Sequence, residues 1–173
     1  MKSRLGCIAT MLLLYVAITL GQDAKPNFAG EWTLDREKSE MGEPRPGGGG
    51  SGGSRGRGMG MGMGSFSITH DGDALVVKRK VEFEGEERTF ESHYTTDGKE
   101  NVNEGFRGSS VKSKTHWEAA KLVTESVMET PNGTRETKEV RSLSADGRTM
   151  TVEVTSKGGF GEGTRKMVYN KKE

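Results

Sequence analysis

The sequence predicts an all-β protein: an antiparallel up-and-down meander of about nine to ten strands, closed into a barrel. Three observations carry that expectation. Apolar and polar residues alternate from Phe28 onward, Asp-Gly and Asn-Gly pairs punctuate the alternation, and no convincing helical stripe interrupts it. The 173-residue chain holds only 30 Leu, Ile, Val and Phe residues, eight of them in the first 20. A large all-round hydrophobic core and a membrane-embedded bundle are thereby excluded. The 26 basic and 25 acidic residues nearly cancel, unlike the basic excess of a general nucleic-acid binder.

The first segment reads as an export signal. Lys2 and Arg4 precede an apolar run from Ile8 to Leu20, shorter than the roughly 20 residues of a spanning helix. Small Thr19 and Gly21 fit cleavage before Gln22, so residues 1–21 are the expected signal peptide and the mature chain is periplasmic or secreted. Cleavage removes Cys7, the single cysteine, so the mature protein has no disulfide and no membrane span. Residues 22–27 form a short polar tail.

The domain then runs from 28 to 173. Phe28, Gly30, Trp32 and Leu34 alternate on the opening strand. Residues 42–64 hold 12 glycines with Pro44 and Pro46, and read as a flexible insertion. Phe66 and Ile68 alternate before the Asp71-Gly72-Asp73 turn; Leu75, Val77, Val81 and Phe83 follow, ended by Gly85. Phe90 and Tyr94 share a phase up to Asp97-Gly98. Val111 and Trp117 share the next, and Ala119-Ala120 stands where a tight turn is needed. Leu122 to Glu129 ends at Pro131-Asn132-Gly133, and Val140 to Leu143 at Asp146-Gly147. Met150, Val152 and Val154 alternate, then Met167 and Tyr169. Asp-Gly and Asn-Gly recur because tight hairpins need positive φ. A meander this long closes to remove its edges.

Asn27 to Asp35 with Lys38-Ser39 carries a Gly-x-Trp that resembles the signature of lipocalins and their calycin relatives. The whole chain is similar to a group of small exported bacterial lipocalin-like proteins. The shared features are the Phe-x-Gly-x-Trp-x-Leu opening, a glycine-rich insertion, Asp-Gly turns, Trp117 before Lys121-Leu122, and Tyr169-Asn170-Lys171. The resemblance implies a barrel with Gly30, Trp32 and Tyr169 at one end. Its motifs are structural, and the chain lacks the cysteines and fuller conserved regions of lipocalins.

No nucleophile elbow, His-Glu-x-x-His helix, Walker loop or Cys–His pair is present, so no enzyme is expected, nor any cofactor. Met59, Met61 and Met63 alternate with glycine, and three thioethers would suit Cu(I). The default reading of that pattern is low-complexity sequence in a glycine-rich loop, whose ordering costs entropy. His70, His93 and His116 default to solvated surface side chains rather than a zinc triad. Arg55-Gly56-Arg57-Gly58 is too short for a nucleic-acid segment, and Asn132-Gly133-Thr134 is a glycosylation pattern on a hairpin tip.

The expected function is therefore non-enzymatic binding of a small apolar ligand inside the barrel. The candidate lining mixes apolar Phe66, Val77, Phe90 and Trp117 with Tyr94 and with small or polar Ser92, Ser113 and Thr115, which leaves room at the centre. The competing expectation is a cell-envelope interaction module whose barrel is filled by Phe83, Phe90 and Trp117.

Overall fold

The computed structural model describes residues 25–40, 64–83, 86–105, 108–131, 133–158 and 162–173. The signal segment, most of the glycine-rich insertion and Met59, Met61 and Met63 lie outside them. Ten strands follow one another: β1 (Gly30–Glu40), β2 (Ser65–Asp71), β3 (Ala74–Phe83), β4 (Glu86–Thr95), β5 (Glu100–Glu104), β6 (Ser110–Glu118), β7 (Lys121–Thr130), β8 (Gly133–Leu143), β9 (Thr149–Gly158) and β10 (Gly163–Lys171). The all-β up-and-down meander expected from the sequence is observed.

Sheet order is β4-β3-β2-β1-β10-β9-β8-β7-β6-β5, every pair antiparallel. The first and last strands pair through Leu34 opposite Tyr169, so the sheet curls until its edges, β4 and β5, face each other. No ladder joins that seam. Two asparagines on β5 bridge it instead. Asn103 Oδ1 accepts from His93 N–H at 2.7 Å, and its Nδ2 donates to the His93 carbonyl at 2.8 Å. Asn101 Oδ1 accepts from Thr95 N–H at 2.8 Å. The barrel is nearly closed, with side chains replacing a backbone ladder on one edge.

Turn chemistry explains the hairpins. Gly72, Gly98 and Gly147 take φ of 56°, 79° and 68° after their aspartates. The β6–β7 turn uses Ala119 at φ 52°, the one non-glycine positive φ among the described residues. Gly30 sits at φ 141°, and a Cβ there would meet Lys171 Cε at 2.5 Å. A register break between Asp35 and Glu40 bends β1, and Ser39 Oγ fills it by donating to the Asp35 carbonyl at 2.5 Å and accepting from Val168 N–H at 2.9 Å.

Cross-strand partners share a face, so the register identifies the inner surface. Trp32, Phe66 and Arg79 form one inner row, Ile68 and Val77 another, and Leu122, Arg141, Val152 and Met167 a third. Phe28, Trp32, Leu75, Val77, Leu122 and Met150 are fully buried in a single cluster. Each such side chain contributes about 1.5–3 kcal/mol by leaving water. The outer face carries cross-strand ion pairs such as Lys78–Glu91 and Lys80–Glu87.

Candidate functional site

The interior of the barrel has a packed end and an accessible end. At the packed end the chain before β1 crosses the opening. Phe28 is fully buried there, its carbonyl accepting from Trp32 Nε1 at 3.0 Å and its N–H donating to His70 Nδ1 at 3.2 Å. The rings of Phe28, His70 and Trp117 stack with centroids 6.0–6.1 Å apart, and Lys25 Nζ lies 5.6 Å from the Trp117 ring centre. Trp32, paired with Lys171 across β1 and β10, is fully buried, and Lys171 Nζ lies 5.6 Å from its ring centre. Phe66 meets the Tyr169 ring edge-on at 4.9 Å.

The His70 expectation is corrected here. His70 continues the inner phase of Phe66 and Ile68 and packs under the crossing segment, rather than standing in solvent. Burial holds its imidazole below the ordinary histidine value, against the pull of Asp73, the Gly72 backbone and Asp71. An Nδ1 that accepts the Phe28 N–H belongs to the neutral ring. His93 is exposed near Glu91, and His116 is half-exposed near Glu118. The three histidines are not brought together, and no metal-holding cluster of His, Cys, Asp or Glu occurs among the described residues.

Above the packed end, four arginines point inward. Arg79, Arg141 and Arg165, with Glu139, lie close enough to Tyr169 to bias its titration, while burial pushes the phenol up to about 12. Arg141 is almost fully buried, pairs with Glu139 and donates from Nη1 to Thr124 Oγ1 at 3.4 Å. Its guanidinium lies 6.0 Å from the Tyr94 ring centre. Arg79 lies 5.4 Å from the Phe66 ring centre. Neither Arg79 nor Arg165 has a carboxylate partner among the described residues. Arg135, nearer the open end, donates to Ser156 Oγ at 3.4 Å. Glu139 compensates Arg141, the one fully buried guanidinium, while the half-buried, inward Arg79 and Arg165 suit an anion or ordered water.

All eight candidate lining residues share the inner face. Phe66, Val77, Phe90, Ser92 and Tyr94 line β2–β4; Ser113, Thr115 and Trp117 line β6 across the seam. Phe66, Val77, Ser113 and Thr115 are buried, whereas Phe90, Ser92, Tyr94 and Trp117 stay half-buried. Inward side chains that keep some exposure, among them Phe90, Ser126, Met128 and Thr137, show that solvent reaches the inner wall away from the packed end. Trp117 Nε1 is buried without a partner. Placement of the Phe83 side chain lies outside the described residues.

A concavity of about 950 Å³ is lined mostly by outward side chains of β6–β9, and also touches Ser113, Ser126 and Thr137. Its Lys112, Lys114 and Lys138 alternate with Glu125, Glu129 and Glu136 around Val127. That balance favours neither sign of ligand, and of the candidate lining residues it touches only Ser113.

Phasing alone missed the arginines. Arg79 follows Val77 by two residues, Arg141 precedes Leu143 by two, and Arg165 precedes Met167 by two, so each shares a phase with core residues. The signal was present, but arginine reads as a surface residue.

No family model matches the sequence, and no curated protein matches it. Solved structures do match in fold. Lipid binding protein 8 of Caenorhabditis elegans superposes with TM-score 0.58 at 14% identity, over 84% of this chain and 95% of that one. A structure titled REP1-NXSQ fatty acid transporter gives 0.56 at 16% identity, over 84% and 96%. A fatty acid binding protein of Schistosoma mansoni, in complex with arachidonic acid, gives 0.53 at 19%, over 88% and 100%. At these identities the likeness is one of fold: the chain is an antiparallel up-and-down β-barrel with the strand architecture of those structures.

Proposed function

We propose that this protein is a non-enzymatic carrier that holds an apolar chain with an anionic head inside the barrel. The observation that carries the reading is the group of inward arginines around Tyr169, set against a fully buried apolar wall of Trp32, Leu75, Val77, Leu122 and Met150. Guanidinium groups in a water-poor wall form charge-assisted hydrogen bonds to a carboxylate or phosphate, stronger than neutral ones. The apolar wall contributes affinity by removing methylenes from water. The structural neighbours named above, a fatty acid transporter and fatty-acid and lipid binding proteins, support the same ligand class. Export through residues 1–21 belongs to this reading, and N-terminal sequencing of the mature protein tests it.

Displacement of a fluorescent fatty-acid probe tests the binding. Saturated fatty acids should compete at one site, with affinity rising up to about fourfold per added methylene from a transfer value near 0.8 kcal/mol. Affinity flat with chain length, or no displacement, would leave the interior as a structural core alone.

A further inference from the structure

We propose that the head-group site selects a phosphate monoester on a single acyl chain over a simple fatty carboxylate, with the tail toward the packed end. The inference rests on the lumen reading above and deepens it. Its first support is charge. Glu139 already pairs with Arg141. Arg79 and Arg165 remain as inward guanidinium groups with no carboxylate among the described residues, and Arg135 adds a further charge nearer the mouth. A monocarboxylate brings one negative charge to the two groups Arg79 and Arg165. A phosphate monoester brings about −1.5 to −2 at neutral pH and three strong acceptor oxygens.

The second support is a row of hydroxyls. Ser113, Ser126, Thr137 and Ser156 are register partners in turn across β6, β7, β8 and β9, so they form one continuous inner row. It lies next to the row of Thr115, Thr124, Glu139, Val154 and Arg165, on the mouth side. The hydroxyl bonds in it are long: Ser113 Oγ donates to the Asn101 carbonyl at 3.5 Å and Ser126 Oγ to the Thr137 carbonyl at 3.4 Å. Bonds of that length exchange readily for a phosphate oxygen. A carboxylate seated between Arg79 and Arg165 leaves this row unused, whereas a phosphate and its ester oxygens reach it.

The third support is the direction of polarity. On the other side of the row of Glu139 and Arg165 lie Trp117, Leu122, Val152 and Met167, with the Glu139-paired Arg141 among them, and beyond them the Phe28–His70–Trp117 ring cluster. The fully buried apolar wall thus lies on the packed side, where it takes the acyl chain, and the polar head faces the mouth.

The test uses the full mature chain and one fluorescent probe, displaced by palmitate, palmitoyl lysophosphatidate or monopalmitoylglycerol below their micelle concentrations. These share one acyl chain and differ in head charge. The expected order is lysophosphatidate tightest, by about tenfold over palmitate, with the neutral glyceride weakest. Arg79→Gln and Arg165→Gln should each shrink the lysophosphatidate preference over palmitate while the far-ultraviolet circular dichroism and urea midpoint stay near those of the wild type, which separates head recognition from unfolding. Palmitate binding as tightly as lysophosphatidate overturns this proposal and leaves the carrier reading intact. A preference that survives both substitutions also overturns it. Failure of all three lipids to displace the probe overturns both.

Discussion

Asn103→Ala should open the seam between β4 and β5, and the structure sets the size of the effect. The Asn103 carboxamide makes two bonds of 2.7 and 2.8 Å to the His93 backbone, the pair a neighbouring strand would otherwise supply. Each bond contributes about 1 ± 0.5 kcal/mol net, and the groups left behind on His93 add desolvation cost where water cannot reach them. Because the seam is a sheet edge and only partly dry, the expected loss is about 2–3 kcal/mol rather than more. Asn103→Asp keeps the acceptor and loses the donor, so it should fall between. Urea melts read the stability, and amide exchange at His93 reads the local opening. A loss below about 0.5 kcal/mol with unchanged His93 protection would refute the idea that side chains close this barrel.

Three further outcomes are expected. Trp32→Ala removes a fully buried indole and its bond to the Phe28 carbonyl, and should cost about 3–5 kcal/mol in denaturant melts; under about 1 kcal/mol would contradict its role in the packed end. Ala119→Gly relieves a positive φ that alanine tolerates poorly and should raise stability by about 1 kcal/mol; an unchanged midpoint would count against strain at that turn. Because burial holds the folded His70 below its ordinary value, the unfolded chain takes up the proton first as pH falls. Stability from His70 is therefore present above about pH 6.5 and is lost as pH drops from there toward the folded value. Thermal melts near neutrality and in mild acid should show that loss in wild type and a smaller one in His70→Gln, whose amide oxygen still accepts the Phe28 N–H; equal losses would contradict the assignment.

The parts of the fold legible in the sequence are those governed by local rules. Alternation from Phe28 to Tyr169 placed nine strands, and each Asp-Gly pair marked a turn because positive φ is a property of the residues themselves. The strand that escaped notice is β5, and its pattern explains why. Val102 points out and is 63% exposed, while Asn101 and Asn103 point toward the seam. An inverted pattern of that kind carries no hydrophobic signal, since its polar side chains work as a substitute ladder. Phe28 was readable as the start of β1 but instead crosses the packed end to meet His70 and Trp117, a long-range contact without local signature. The arginine girdle was hidden for a related reason: its members sit in the correct phase, but their inward position depends on the neighbours across the barrel.

The central claim is that lipid occupies the interior and not the outer concavity over β6–β9. Nuclear Overhauser contacts between a protonated acyl chain and methyl-labelled protein test it most directly, because both walls carry distinct methyl groups. Contacts to Val77, Leu122, Met150 and Val152, which face the inside, are the result this account requires. Contacts confined to Val102 and Val127, which face outward, would contradict it.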